Sequence, residues 1–210
     1  MIKRVIELKR VLLTMALMVL MSMLASAENE SVTTGPYNLS FDLAGAKNSI
    51  SYQVDPVQVS TSEDLSSDYK RAYYFNINIS KPSIRKNEYL YDHIDVELVI
   101  SNSTIPKHDE PHYKKEIYNL LNGPREAWCF GLFSYIDGFD FSLRIIDGSP
   151  GYVGTGTHDE LFAIPAYAAI FSPPIDPDHV ECRVFSMAGW DEGTLQFLKT
   201  IHIEKIAGKQ

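Results

Sequence analysis

The sequence predicts an α+β domain in which an antiparallel meander sheet is covered by two helices. Three observations carry this expectation. Apolar and polar residues alternate through much of the chain from Tyr37 onward, the period of half-buried strands. A 3.6-residue period takes over at Tyr113, Ile117, Leu120 and Leu121, and returns near the C-terminus at Leu195, Leu198 and Ile201. No linker-like stretch divides residues 28–210, which therefore read as a single domain.

Residues 1–27 have a different character. Lys3, Arg4, Lys9 and Arg10 form a basic head, Val11 to Leu24 an apolar run, and Ala25-Ser26-Ala27 a small-residue cleavage site. This is the pattern of a signal peptide cut after Ala27. The run has 14 residues, against the roughly 20 that a spanning helix needs. An uncleaved N-terminal anchor is the alternative. With the leader removed, no segment is left that could span a membrane, and a soluble chain in the cell envelope or outside the cell is expected. Its expected localisation is extracytoplasmic.

The first strand places Tyr37, Leu39 and Phe41 on one face and Asn38, Ser40 and Asp42 on the other. A turn at 44–47 followed by Ile50, Tyr52 and Val54 predicts a hairpin. Residues 58–70 are polar and read as a mobile loop. Phe75, Ile77 and Ile79 mark a third strand, and Ile94, Val96, Leu98 and Ile100 a fourth with Asp95 and Glu97 facing water. In the helix that follows, Asp109 and Glu110 suit the positive N-terminal end, Pro111 fits the first turn and Asn122-Gly123-Pro124 stops it. Asp137-Gly138 predicts a two-residue hairpin turn, after which Phe139, Phe141, Leu143 and Ile145 form an inward face. Asp147-Gly148 opens a glycine-rich connection to the apolar stretch Leu161 to Phe171, where Pro165 suggests an edge or a break. Ser172 to Asp178 is a stiff turn. Val180, Cys182 and Val184 begin another strand, and a helix over 191–200 leads into a short strand at 201–203.

The mature chain keeps 15 of the 19 basic residues and 26 of the 27 acidic ones, for a net charge of -11. Such a balance repels phosphate backbones. No basic stripe offsets it, so nucleic acid is excluded as a partner. Cys129 and Cys182 lie 53 residues apart, and export makes a disulfide between them the expectation, worth roughly 4 kcal/mol by restricting the unfolded chain. Two separate buried thiols are the alternative.

His108, Asp109 and His112 are the candidate metal ligands, because imidazoles and carboxylates converge within five residues. The spacing is not that of a zincin, and Pro111 confines the helix to the residues after His108. A solvated surface cluster is the competing reading. The glycines from Gly148 to Gly156 match neither a dinucleotide fingerprint nor a P-loop. No cofactor is implied, no serine-nucleophile elbow exists, and catalytic residues stay unassigned. The carboxylate pairs Asp92/Asp95 and Asp176/Asp178 lack the ordered spacing of a calcium loop. Asn29, Asn38, Asn78 and Asn102 head glycosylation sequons.

The segments Phe141-Ser-Leu-Arg-Ile-Ile-Asp-Gly-Ser-Pro-Gly151 and Trp190-Asp-Glu-Gly-Thr-Leu-Gln-Phe-Leu-Lys-Thr-Ile-His-Ile203, with the opening Gly35-Pro-Tyr-Asn-Leu-Ser-Phe-Asp-Leu43, resemble exported proteins of methanogenic archaea. More remotely, the strand, Asp-Gly turn, strand and closing helix are similar to the PsbP/Mog1 group. That resemblance implies an α-β-α sandwich and carries no activity or functional residue with it. The expectation is a non-enzymatic binding or accessory domain for an unknown envelope protein or ligand. Its contact surface is expected in the loops at 58–70 and 147–159. A metal-dependent envelope protein using the His108 to His112 cluster is the alternative.

Overall fold

The computed structural model describes residues 30–43, 51–61, 69–80, 92–101, 109–122, 136–158, 164–175, 180–187 and 191–207. The leader, His108, Cys129, Asn29, Asn102 and the Asp176/Asp178 pair lie outside the described residues. The strands are β1 (Glu30–Thr34), β2 (Tyr37–Phe41), β3 (Ser51–Val54), β4 (Gln58–Thr61), β5 (Tyr69–Ser80), β6 (Asp92–Ser101), β7 (Ile136–Ile146), β8 (Ser149–His158), β9 (Ile164–Phe171), β10 (Val180–Met187) and β11 (His202–Lys205). Helix α1 spans Glu110–Asn122 between β6 and β7, and α2 spans Asp191–Thr200 between β10 and β11.

The strands form two antiparallel sheets. The larger follows the order β3-β5-β6-β10-β9-β8-β7, with β4 also pairing β5, and the smaller is β1-β2-β11. An α+β fold with two helices packed beside an antiparallel sheet is therefore what the chain adopts. Strands β7 to β10 are a meander. By contrast, β6 and β10 are distant in sequence and pair along their whole length, from Val180↔Ile100 to Met187↔His93.

The main core lies between the two sheets. Phe75, Ile77, Ile94, Val96, Leu98 and Val184 from the large sheet meet Leu39, Phe41 and Ile203 from the small one, together with Phe197 of α2. The Phe41 and Phe197 rings are 5.1 Å apart. Thr200 ends α2 against β2, its Oγ1 donating to Asp42 O and accepting from Asp42 N, both at 3.0 Å. Alternation fixes which residues of β2 face this core, but alternation names a face and not a partner. Thus β2 pairs with β1 and β11, while β3 joins β5 in the other sheet. The hairpin expected between them does not form.

A second core forms where Ile117 and Leu121 of α1 meet Ile136, Ala166, Ala168, Ile170 and Phe185 on the opposite face of the large sheet. The helix approaches closely because β8 carries glycine there. A Cβ on Gly154 would run into Ile117 Cγ2. The glycine-rich segment is thus a sheet strand under the helix, between β7 and β9, and not a connecting loop. Asp147-Gly148 is itself the tight turn, with φ of 49° and 73°, the two positive angles of a type I′ hairpin. At Asp137-Gly138 the expected turn is instead a bulge. Gly138 has φ 64°, and the β7–β8 register shifts between Asp137 and Asp140 within a continuous strand.

Three further expectations change. Residues 58–61 form β4, which pairs antiparallel with β5 from Gln58↔Tyr74 to Thr61↔Arg71. A short edge strand needs few buried side chains, so apolar pattern does not reveal it. Pro165 lies in an interior strand, paired to Thr157 on β8 just beyond the last β10 partner at Ala166. Phe139 and Phe141 do pack on the second core, whereas Leu143 and Ile145 are 61% and 71% exposed. Helix α1 does not extend over them.

Candidate functional site

Helix α1 packs on β7, β8 and β9, and β4, β5, β6 and β10 expose a different surface on that same side of the large sheet. Strand register assembles it. Opposed residues of antiparallel strands share a face, and the pairings Gln58↔Tyr74, Tyr74↔Glu97 and Glu97↔Arg183 put four side chains in one row. The next row is Asn76↔Asp95↔Phe185. These residues line an open cavity of about 570 Å³, within the size range of small-molecule sites.

Arg183 organises the chemistry. Its Nε donates to Glu181 Oε1 at 2.7 Å, and its Nη1 lies 3.9 Å from Glu97 Oε2. Glu181 is 4% exposed. Burial pushes its carboxyl pKa up, Arg183 opposes that shift, and the nearby carboxylates Glu116 and Glu97 add to it. Tyr74 hydrogen-bonds Glu97 and Ser60, and its phenol is pushed up to about 12, first by burial and then by the Glu97 charge. Asn76 turns its amide nitrogen to donate to Asp95 Oδ1 at 2.9 Å. On the α1 side of the same face, Tyr113 of α1 stacks on Tyr152 at 4.7 Å, and Tyr152 stacks on Phe141 at 5.3 Å. The Tyr113 phenol is also raised to about 12, by burial and then by Glu181 and Glu116.

The groove is rich in acceptors. Asp95 and Glu97 line it, the one guanidinium is held by Glu97 and by the buried Glu181, and Glu116 lies close to Glu181. Such a lining suits a ligand that brings donors and positive charge.

Apart from Asp95, and Gln58 within the expected 58–70 contact segment, the residues singled out from sequence fall elsewhere. Asp109 caps α1, its Oδ1 accepting from the His112 backbone N–H at 3.0 Å. His112 Nε2 lies 3.4 Å from Glu116 Oε1, one helical turn on. Among the described residues no group of three His, Cys, Asp or Glu side chains is placed to hold a metal ion. Asn78 is exposed on β5, and Asn38 on β2 donates to Glu204 Oε1 at 3.2 Å.

The expected disulfide is not present. Cys182 is a free thiol, fully buried in the middle of β10, with Leu98 and Phe171 as strand partners. Burial, reinforced by the charges of Glu181, Glu97 and Asp147, raises its pKa well above the ordinary thiol value. It acts as a small apolar core residue.

Gln58, Tyr74, Asn76, Glu97, Glu181 and Arg183 were not distinguishable in the sequence as a site. The available signal was weak: polar residues at outward positions of strands, which also describes a solvated sheet face. Pairing of β6 with β10 was the missing information. Compared with protein-family models, curated proteins and solved structures, the chain finds no match in any of the three. Among the described residues no helix is long and apolar enough to cross a membrane.

Proposed function

We propose that the chain is an exported, non-enzymatic binding domain of the cell envelope that takes a small organic cation, such as a polyamine, in the groove on β4, β5, β6 and β10. One observation carries this reading: two carboxylates, Asp95 and Glu97, and two amides line a cavity of about 570 Å³ whose guanidinium is already held by Glu97 and by the buried Glu181 beside it. A cationic amine replaces lost water contacts with charge-assisted hydrogen bonds there, and an anion does not. The basic, apolar and small-residue zones of residues 1–27 support export. The layering, with α1 on one face of the sheet and α2 with the small sheet on the other, supports the resemblance to the PsbP/Mog1 sandwich.

Calorimetric titration of the purified protein with spermidine, putrescine and arginine, against glucose and citrate as controls, tests the reading. Spermidine is expected to bind with an affinity that falls as salt rises. The Asp95→Asn/Glu97→Gln variant is expected to bind it at least about tenfold more weakly, from the loss of two charge-assisted contacts. Binding of citrate in preference to the amines, or equal spermidine affinity in the variant, contradicts it. Export is tested by N-terminal sequencing of the protein recovered from its native cells, where the first residue is expected to be Glu28.

A further inference from the structure

The two edges of the large sheet differ. One is broken into β3 and β4, four residues each, both pairing with β5. The other is β7, eleven residues long, which among the described residues pairs only with β8. Long edges invite pairing with another chain, and proteins guard them by shortening or interrupting the strand. The first edge carries that protection, and β7 has a bulge only near its start.

The β7–β8 hairpin decides which backbone groups of β7 point outward. A two-residue turn closes on Ile146↔Ser149 as a hydrogen-bonded pair, so Arg144 and Ser142 also bond inward to β8. Phe141, Leu143 and Ile145 then direct N–H and C=O away from β8. Pro150, opposite Ile145, has no N–H to offer and agrees with this phase.

We infer that β7 pairs antiparallel with β7 of a second copy, about a two-fold axis at Ser142, joining two sheets into one. Three features of the strand meet in this register. Outward-facing Phe141 pairs with outward-facing Leu143, and Ile145 comes opposite Phe139 at the edge of the bulge. The exposed Leu143 and Ile145, at 61% and 71%, each gain an aromatic neighbour. The exposed charges are also complementary, because Asp140 of each copy comes opposite Arg144 of the other, in the closer-spaced pairs where side chains interact most strongly. Moving the axis to Leu143 sets Asp140 against Ile146 and Arg144 against Ser142, and both charge pairs are lost. The interface is isologous and closes at two copies.

Sedimentation equilibrium of the full-length mature protein, combined with charge exchange on β7, tests the pairing. The wild-type protein is expected to sediment at twice the chain mass at high concentration. Asp140→Arg sets like charges against each other twice and is expected to raise the dimer dissociation constant at least about tenfold. Adding Arg144→Asp in the same chain is expected to restore it. Because both positions are exposed, circular dichroism of each variant should match wild type. Ser142→Cys supplies a separate readout: across the axis it faces its own copy at the spacing of a non-hydrogen-bonded pair, and mild oxidation is expected to give a covalent dimer that wild type does not form. A monomer at every concentration, a dimer indifferent to both charge variants, or protection of β7 amides from hydrogen exchange in a monomer would each overturn the inference, the last by showing that this chain covers its own edge.

Discussion

Glu181 shows how one side chain ties stability to the groove. It is held by Arg183 at 2.7 Å, yet burial still raises its pKa above the ordinary 4.5. A carboxyl raised in the folded state binds its proton more tightly there than in the unfolded chain, so its contribution is fully present below about pH 4.5 and is lost as pH rises through the folded-state value. Glu181→Gln, which keeps a hydrogen-bond acceptor for Arg183, is expected to flatten the fall in melting temperature above that pH. An unchanged slope contradicts the assignment. Arg183→Met leaves the carboxyl without its partner and is expected to cost about 2–3 kcal/mol in urea unfolding at neutral pH, less than a fully buried pair because the guanidinium keeps contact with water. Cys182 makes a different test. An alkylating reagent is expected to miss it in the native protein and to modify it quantitatively in denaturant, as read by peptide mass spectrometry. Export chemistry made a bridge reasonable, but residue spacing cannot tell that position 182 faces the core between Leu98 and Phe171.

At the scale of elements, α1 and the glycines beneath it are one unit. Ile117 and Leu121 reach the sheet because Gly154 leaves room and Ala166 and Ala168 keep the neighbouring strand flat. Gly154→Ala forces the helix outward and is expected to cost about 1–3 kcal/mol by thermal or urea unfolding. Phe197→Ala empties the site between α2 and β2 and is expected to cost about 3–5 kcal/mol. Both helices, the strands β2, β5, β6, β9, β10 and β11, and the inward residues of most of them were legible in the sequence, because helical and strand periods record burial directly. What was not legible depended on something other than burial. Strand β4 has polar residues on both faces, and β8 is rich in glycine for reasons of helix packing. Asp-Gly at 137–138 is a bulge, because a positive φ permits a turn without requiring one.

Across the whole molecule, the order of strands creates the candidate site. Helix α1 crosses from β6 to the far edge at β7, and the chain then returns strand by strand until β10 lies beside β6. That return brings Arg183, already held by its strand neighbour Glu181, opposite Glu97 from more than 80 residues away in sequence. No local motif encodes the meeting, which is why the sequence offered only fragments of the site: Asp95 as half of a carboxylate pair, Glu97 as a water-facing neighbour, and Gln58 within the expected 58–70 contact segment. It also centres the binding surface on the face of the sheet, to which the expected 58–70 segment contributes Gln58 of β4 while the 147–159 segment lines none of the cavity. The most direct measurement of this account is backbone chemical-shift mapping during a spermidine titration. The account predicts saturable shifts concentrated at Gln58, Tyr74, Asn76, Asp95, Glu97 and Arg183, and little change along β1, β2 and β11. Shifts that do not saturate, or that cluster on the small sheet while β5, β6 and β10 stay silent, contradict it.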